Sequence, residues 1–550
     1  RVRSSAASDV YKRQALMITP DYRLIGSKLM AALPTSRFLV FLGSWLPTNF
    51  HWLPDTTDSF TSTNNIEFLF FIALAFIFYG AAMLLILRLP AAANFASIQA
   101  LMWATVVLAG AMLICTPFLL SHDLFVYADY GHTILTYHTN LYFTPPLAIS
   151  HSGITHLDDW NFSVAAYGPL WLGFSTLVAL VGGDHPLRYI LGFRTLGLLA
   201  HIVNIWLVMR ILRESGRSPR TVMLGGILYA LNPLALFEAA LGAHNDTEMI
   251  TFLLLAILFC LRAERRGFTH FIDYALPAIA CSLAILIKFT SAPLLVFYLT
   301  LLARKSWQAT SPLFQSPGTH PSWQDRSMAL LKPVIAGLLS AGIVLLSYAP
   351  FWIGHSPSAI LKSFSAPPSA RFAENSILRA SEGWIHLHGL PPGNSWMHTL
   401  LVLMANHTIW NTASILVVLS GIIYGIILLW RRPATHTLTA ASLFTLGALL
   451  IVTPWLFAWY VTWLIALAAV LIGQPMKRVL RDALLAFAIA FSISIFFTYM
   501  DNDQPIFGNE GFAQCLRIFG IPLLIFLFAL VSGRVLLNRI ATKERSSQKA

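Results

Sequence analysis

The residues of this sequence best suited to chemistry are carboxylates at the edges of apolar runs. Asp123 follows the apolar run 97–120 directly. A carboxylate in that position can act as a general base. It takes the proton of a hydroxyl as that oxygen attacks carbon, an effect of about 10²–10⁴ in rate. Asp123 could equally cap the helix that follows, with Phe125 and Tyr127 packing at the boundary. Asp129 lies further along, at a spacing that turns it to another helical face. The two carboxylates could hold a divalent ion, since hard cations prefer oxygen ligands, but they form no complete ligand set, so metal dependence stays open. Asp158 and Asp159 read as a solvated acidic turn. The whole stretch 121–170 is the longest polar interruption of the N-terminal half, and it closes on Tyr167, Gly168 and Pro169. Long connections of this kind usually carry function. We therefore expect it to floor a site, with Tyr127, Asp129 and Tyr167 as candidate substrate contacts.

A second cluster is the segment 242–248, Gly-Ala-His-Asn-Asp-Thr-Glu. Asn245 followed by Glu248 has the spacing of a capping box. Capping alone needs neither His244 nor Asp246, and the functional reading is a polar patch that orients a ligand through its hydroxyls. Asn232-Pro233 predicts a kink in the preceding helix. Lys288 interrupts an apolar stretch at a helix turn. It could snorkel to the interface, yet an ionisable group at the edge of a span is a functional candidate by default. A cation there would suit an anionic leaving group. Arg194 is a similar candidate, whereas Arg210 sits near a basic loop. The aromatic segment 454–463 resembles an interfacial belt at Trp455 and Trp463. Trp459 and Tyr460 are left open as ligand-stacking residues.

These groups are positioned by apolar helices. The 550 residues are 57% hydrophobic and only 11% charged, against about 25% charged in a soluble domain. Mean hydropathy is +0.67. Apolar runs of about 20 residues recur along the chain, each long enough for a bilayer core of about 30 Å. Lipid offers no hydrogen-bond partners, and runs that do not alternate are helical. The fold class is therefore all-α: a polytopic membrane protein of about 13–14 transmembrane helices with extended external loops. The formal charge of +12 lies largely in short loops, 213–220, 262–266, 304–332, 431–432 and 477–481, and in the tail 534–549. By the positive-inside rule these face the cytoplasm, as do both termini. The charge then reports topology and contact with membrane lipid, not nucleic acid. The loops 121–166, 242–248, 354–397, 454–459 and 501–514 fall outside. The short apolar segment 167–183 must dip in and return if 213–220 is to lie inside.

Residues 1–16 are set aside, because 8–14 resemble a translated sequencing-library adapter and Met17 is a plausible start. An N-terminal catalytic module is expected over 17–303, with a weak span at 24–46. A Ser/Pro/Gln-rich linker over 304–331, a second membrane module over 332–540 and a basic tail over 541–550 follow. The cysteines Cys115, Cys260, Cys281 and Cys515 have no metal-ligand spacing.

Taken together, the acidic loop, Tyr167-Gly168-Pro169, Asn232-Pro233, the run 242–246, Lys288 and the late Pro454-Trp455…Trp459-Tyr460…Trp463 resemble the GT-C glycosyltransferases. Within them the sequence is most similar to the polyprenyl-phosphate-mannose-dependent α-(1→6)-mannosyltransferases of bacterial lipoglycan synthesis. The resemblance runs over about 97–500 and is most specific at 231–248 and 451–463. It departs from the family's Asn-Pro-Tyr at Asn140-Leu141-Tyr142. It implies that Asp123 takes the catalytic-base position and that His244, Asn245 and Asp246 line the site. It further implies transfer of a hexose, mannose in this family, from a polyprenyl-phosphate donor to a glycan or glycolipid hydroxyl at the external face of the cell membrane. No cofactor is implied beyond the open question of a divalent cation. The rival from another class is a secondary transporter or lipid flippase, whose sites lie near the midplane within repeats. Other GT-C enzymes, transferring arabinose, glucose or mannose to protein, are the closer alternatives.

Overall fold

The computed structural model describes residues 62–90, 93–116, 121–310, 323–364, 372–499 and 511–533. The regular structure of these residues is helical, with one isolated parallel bridge between Glu374 and Trp455. The helices are α1 (Ser62–Arg88), α2 (Phe95–Ile114), α3 (Asp123–Tyr137), α4 (Pro169–Gly182), α5 (Pro186–Glu214), α6 (Pro219–Ala230), α7 (Pro233–Ala240), α8 (Asp246–Arg265), α9 (Phe271–Ile285) and α10 (Ala292–Ala309). After these come α11 (Trp323–Trp352), α12 (Pro357–Phe364), α13 (Ile377–His388), α14 (Trp396–Met404), α15 (His407–Arg431), α16 (Thr435–Val452), α17 (Val461–Leu471), α18 (Arg478–Ser494) and α19 (Gly511–Gly533). Proline opens α4 to α7, where its missing N–H costs nothing and its fixed φ suits the first turn.

By length and composition, eight helices of the described residues can cross a membrane, or nine if the bent pair α6–α7 is one span. Among the described residues, several of the other apolar runs behind the expected 13–14 form shorter helices, such as α4, α9 and α17. The proposed span 24–46 lies outside the described residues. The kink at Asn232-Pro233 is present: α6 and α7 meet at 52°. Asn232 restarts the chain by accepting from the Ala235 N–H while its amide donates to Ser492.

At the centre, every residue of α17 is buried. A helix apolar on all sides belongs inside a bundle. It packs against α8, α16 and α18, and α8 in turn packs on α5 and α9. The outer helices α1, α2, α11 and α15 leave most of their apolar surface exposed, as spans facing lipid do.

Two expected loops are more ordered than their polarity suggests. The stretch 121–166 contains α3, of which residues 124–133 are buried, and 354–397 contains α12, α13 and the start of α14. The second stretch is pinned across the chain, with Glu374 N–H donating to Pro454 and Leu456 N–H donating back to Glu374. In the region of the expected linker, α10 runs to Ala309 and α11 begins at Trp323, and residues 311–322 lie outside the described residues.

Tyr167 is held in place by its own backbone. Gly168 and Leu170 donate to the carbonyls of Ile287 and Leu286, each at 3.1 Å. A Cβ on Gly168 would sit 2.2 Å from the Leu286 oxygen. Gly168→Ala should therefore destabilise the protein by about 1–3 kcal/mol. Gly173→Ala, on the open side of α4, should be neutral or stabilise by up to about 1 kcal/mol. Thermal unfolding of the two variants in detergent checks the contrast.

Candidate active site: a buried charge cluster at the start of α8

Asp246 is the first residue of α8 and is 1% exposed. The Lys288 ammonium donates to its oxygens at 2.9 and 3.0 Å. The Trp463 indole N–H donates to Oδ1 at 2.6 Å. Lys288 lies in the turn between α9 and α10, and Trp463 lies on α17, so one carboxylate ties three elements. The ammonium also sits over the Tyr460 ring at 4.3 Å and near the rings of Trp463 and Tyr167 at 5.5 and 5.8 Å. Aromatic faces of this kind stabilise a cation withdrawn from water. Trp463 is thus a buried site residue and not a belt residue. Its role was missed because one tryptophan in an apolar run carries no directional signal. Trp455 is half-buried and packs on Trp160 and Phe457.

The connection from α7 to α8 makes a tight turn with Ala243 at φ 55°, a left-handed conformation. It places the His244 ring flat on Trp459, 3.7 Å between centroids. His244 Nδ1 lies 2.8 Å from Glu238 Oε2. Neither atom has a hydrogen-bond partner among the described residues, so this is a close contact and not a directed bond. Gly242 makes room for it: a Cβ there would lie 2.6 Å from Nδ1 and 2.8 Å from Oε2. The other carboxylate oxygen of Glu238 accepts from the Tyr499 hydroxyl. Asn245 does not form the capping box its spacing suggests. It takes helical backbone angles and makes no cap bond, and both its amide atoms are buried without a protein partner. An unpaired buried amide costs free energy, which a bound ligand would recover.

Asp123 opens α3 on the same side. The Tyr167 hydroxyl reaches its Oδ2 at 3.5 Å, and Tyr167 in turn borders Lys288. Burial holds the Asp123 carboxyl above the usual carboxylate range, against the opposing attraction of His244 and Lys288. His244, Asp246 and Lys288, all far from Asp123 in sequence, therefore lie within electrostatic reach of its carboxyl. Tyr460 stands beside Lys288, and Trp459 lies under His244, so both residues left open belong to this cluster.

Tyr127 is on the Asp123 face of α3 but is fully buried among Tyr167, Trp171 and Phe193. Asp129 faces elsewhere. It accepts from Thr133 and Thr155 and lies against Asp158. Asp158 is 3% exposed, so it is no solvated turn. Burial, then repulsion by Asp129, hold the Asp158 carboxyl well above its usual range. Asp159 is the solvated member, and it pairs with His122. Arg194 donates to the carbonyls of Leu241, Ile114 and Thr116. It thereby ties the ends of α2 and α7 to α5. Among the described residues, no group of three or more His, Cys, Asp or Glu side chains could hold a metal ion.

At the far end of α8, Arg262 pairs with Glu214 at the end of α5. A cavity of about 230 Å³ lies near that end, lined by Arg217, Glu264, Thr435 and His436 among others. Across the 20 residues of α8, at about 1.5 Å each, it is separated from Asp246 by most of a bilayer core.

The fold and the cluster define a class: a polytopic helical membrane protein with a buried, ligand-hungry charge cluster at one end of its bundle. The comparisons narrow it. Residues 34–304 match the family described as alpha-(1->6)-mannopyranosyltransferase, N-terminal domain, which is the resemblance read from the residues. That segment contains every cluster residue but Trp459, Tyr460, Trp463 and Tyr499. The chain is also similar to the alpha-(1->6)-mannopyranosyltransferase Rv1459c of Mycobacterium tuberculosis, 26% identical over 103 residues. The match covers 19% of this chain and 17% of that relative's length.

Asp246→Asn strands the Lys288 charge and should cost about 3–5 kcal/mol, while Asp246→Asn combined with Lys288→Met should recover much of the loss. Denaturation of the single and double variants in detergent measures this.

Proposed function

We propose that this protein transfers a mannosyl group from a polyprenyl-phosphate carrier to a hydroxyl of a glycan or glycolipid. One observation carries the reading: within a region similar to α-mannosyltransferases, Asp123 lies in the same cluster as Lys288, His244 and Asn245. These are a base, a cation for a phosphate and unsatisfied polar groups for a sugar. The acceptor oxygen attacks the anomeric carbon while the bond from that carbon to the phosphate oxygen breaks. The hydroxyl proton passes to Asp123. The phosphate departs with the electron pair, its charge offset by Lys288, which remains paired with Asp246. Preorganised charge of this kind lowers the barrier because it needs no rearrangement during reaction. Attack opposite the leaving phosphate inverts the centre, so a β-linked donor gives an α-linked product.

The surroundings fit a lipid donor. Tyr167, Tyr460 and Trp455 are half-buried beside the cluster, where a polyprenyl chain could lie. Arg210, Arg213, Arg217, Arg262 and Arg265 gather at the ends of α5 and α8 remote from Asp123. By the positive-inside rule this arrangement supports a site on the external face of the membrane.

Two outcomes test the reading in membranes carrying the protein, given labelled polyprenyl-phosphate-mannose and a mannoside acceptor. Asp123→Asn should lower transfer by about 10²–10⁴-fold while the donor still binds. Uptake or flipping without transfer would instead support a transporter. The wild-type rate should rise with pH as the base ionises. Because burial raises Asp123, that rise should centre above the ordinary aspartate value of about 3.9.

A further inference from the structure

A group of aromatic rings outside the reacting centre has no part in the reaction above. Trp160 stands in the middle, with Phe162, Phe372 and Trp455 around it at 5.7, 5.6 and 5.5 Å between ring centroids. All four lie in connections between helices, and Phe162 and Phe372 are 43% and 36% exposed. Rings gathered together and left open mark a binding surface. This one is joined to the site on two sides. Inward, Trp455 meets Phe457, Phe457 stacks on Trp459 at 4.5 Å, and Trp459 carries His244. Beside Trp160 in sequence, Asp159 pairs with His122 at 2.9 Å, and His122 directly precedes Asp123. The rings thus lead outward from both His244 and the base.

Two carboxylates lie among these rings. Glu374 is bridged to Trp455 by backbone bonds to Pro454 and Leu456. Ala373 is buried while Phe372 and Glu374 are not, so those two share the open side of an extended segment. The Glu374 side chain makes no hydrogen bond or ion pair among the described residues. Asp159 is the second carboxylate, and its side chain is half exposed. A hydrocarbon chain would cover the rings but gain nothing from carboxylates, whose desolvation it would impose. A sugar uses both. Its C–H face lies on the negative face of an aromatic ring, and its hydroxyls donate to carboxylate oxygens. Resting on the mannosyl-transfer reading, we propose that Trp160, Phe372 and Glu374 form an acceptor-glycan subsite. It holds the sugar units next to the one whose hydroxyl is brought to Asp123, and so favours an extended glycan over a single sugar.

The test uses the full-length protein in lipid nanodiscs with polyprenyl-phosphate-mannose and either a single-unit mannoside or a trimannoside as acceptor. The wild type should show the higher kcat/KM with the trimannoside. Phe372→Ala and Glu374→Gln should each lower the ratio of the two values by about tenfold, or about 1.4 kcal/mol, mainly through the KM of the trimannoside. Trp160→Ala should act in the same direction. If its loss of packing unfolds the protein, Phe372→Ala at the open edge carries the test. A second readout needs no transfer: saturation-transfer NMR of the trimannoside without donor, in which the outer sugar units should lose signal in Phe372→Ala. An unchanged ratio, or a raised KM for the lipid donor in its place, would overturn the subsite while leaving mannosyl transfer standing. A wild type that transfers nothing, yet binds the trimannoside in a way that Phe372→Ala weakens, would keep the subsite and overturn the reading of the function.

Discussion

One buried carboxylate holds the site together. Asp246 receives the Lys288 ammonium and the Trp463 indole at once, and so joins the start of α8, the turn before α10 and the central helix α17. Taking an ion out of water costs several kcal/mol unless its partners are close and its remaining valences are filled. Here both oxygens are engaged and the cation is flanked by aromatic faces. Apolar helices in a bilayer slide past one another with little preference. A fully paired ion at their meeting point fixes register where apolar packing alone would not.

The neighbouring groups follow from that fixed point. The turn from α7 to α8 must deliver Asp246, and in doing so it carries His244 onto Trp459 and leaves the Asn245 amide unpaired. The backbone of Tyr167-Gly168 docks beside Lys288, which brings the Tyr167 hydroxyl to Asp123. The cluster contains one satisfied pair and several groups that are not satisfied. Unsatisfied polar atoms in a core are costly unless a ligand completes them, and their concentration here marks the place where binding energy is available.

The sequence made part of this legible. Asp123, His244, Asp246 and Lys288 stood out because ionisable residues are rare in apolar runs, and the kink at Asn232-Pro233 was readable because proline removes a donor. Glu238, Trp463 and Tyr499 were not readable. Each is a single polar-tipped side chain in an apolar helix or at its end, and its meaning depends on contacts more than 200 residues away or across a turn. The spacing of Asn245 and Glu248 suggests a capping box, but Asn245 takes helical backbone angles and its side chain makes no cap bond. Asp158 looked solvated because local polarity does not reveal that Asp129 lies against it. Hydropathy shows that a run is apolar but not whether it crosses, turns back or packs inside, so among the described residues some apolar runs form helices shorter than a crossing needs.

The most direct test of this account is an experimental structure of the protein in lipid with a non-transferable polyprenyl-phosphate-mannose analogue bound. The account predicts the phosphate within hydrogen-bond reach of Lys288, and the sugar beside His244 and Asn245 with its anomeric carbon turned toward Asp123. An analogue seated at the arginine-rich end of α5 and α8, or with Asp123 screened from the sugar, would contradict it.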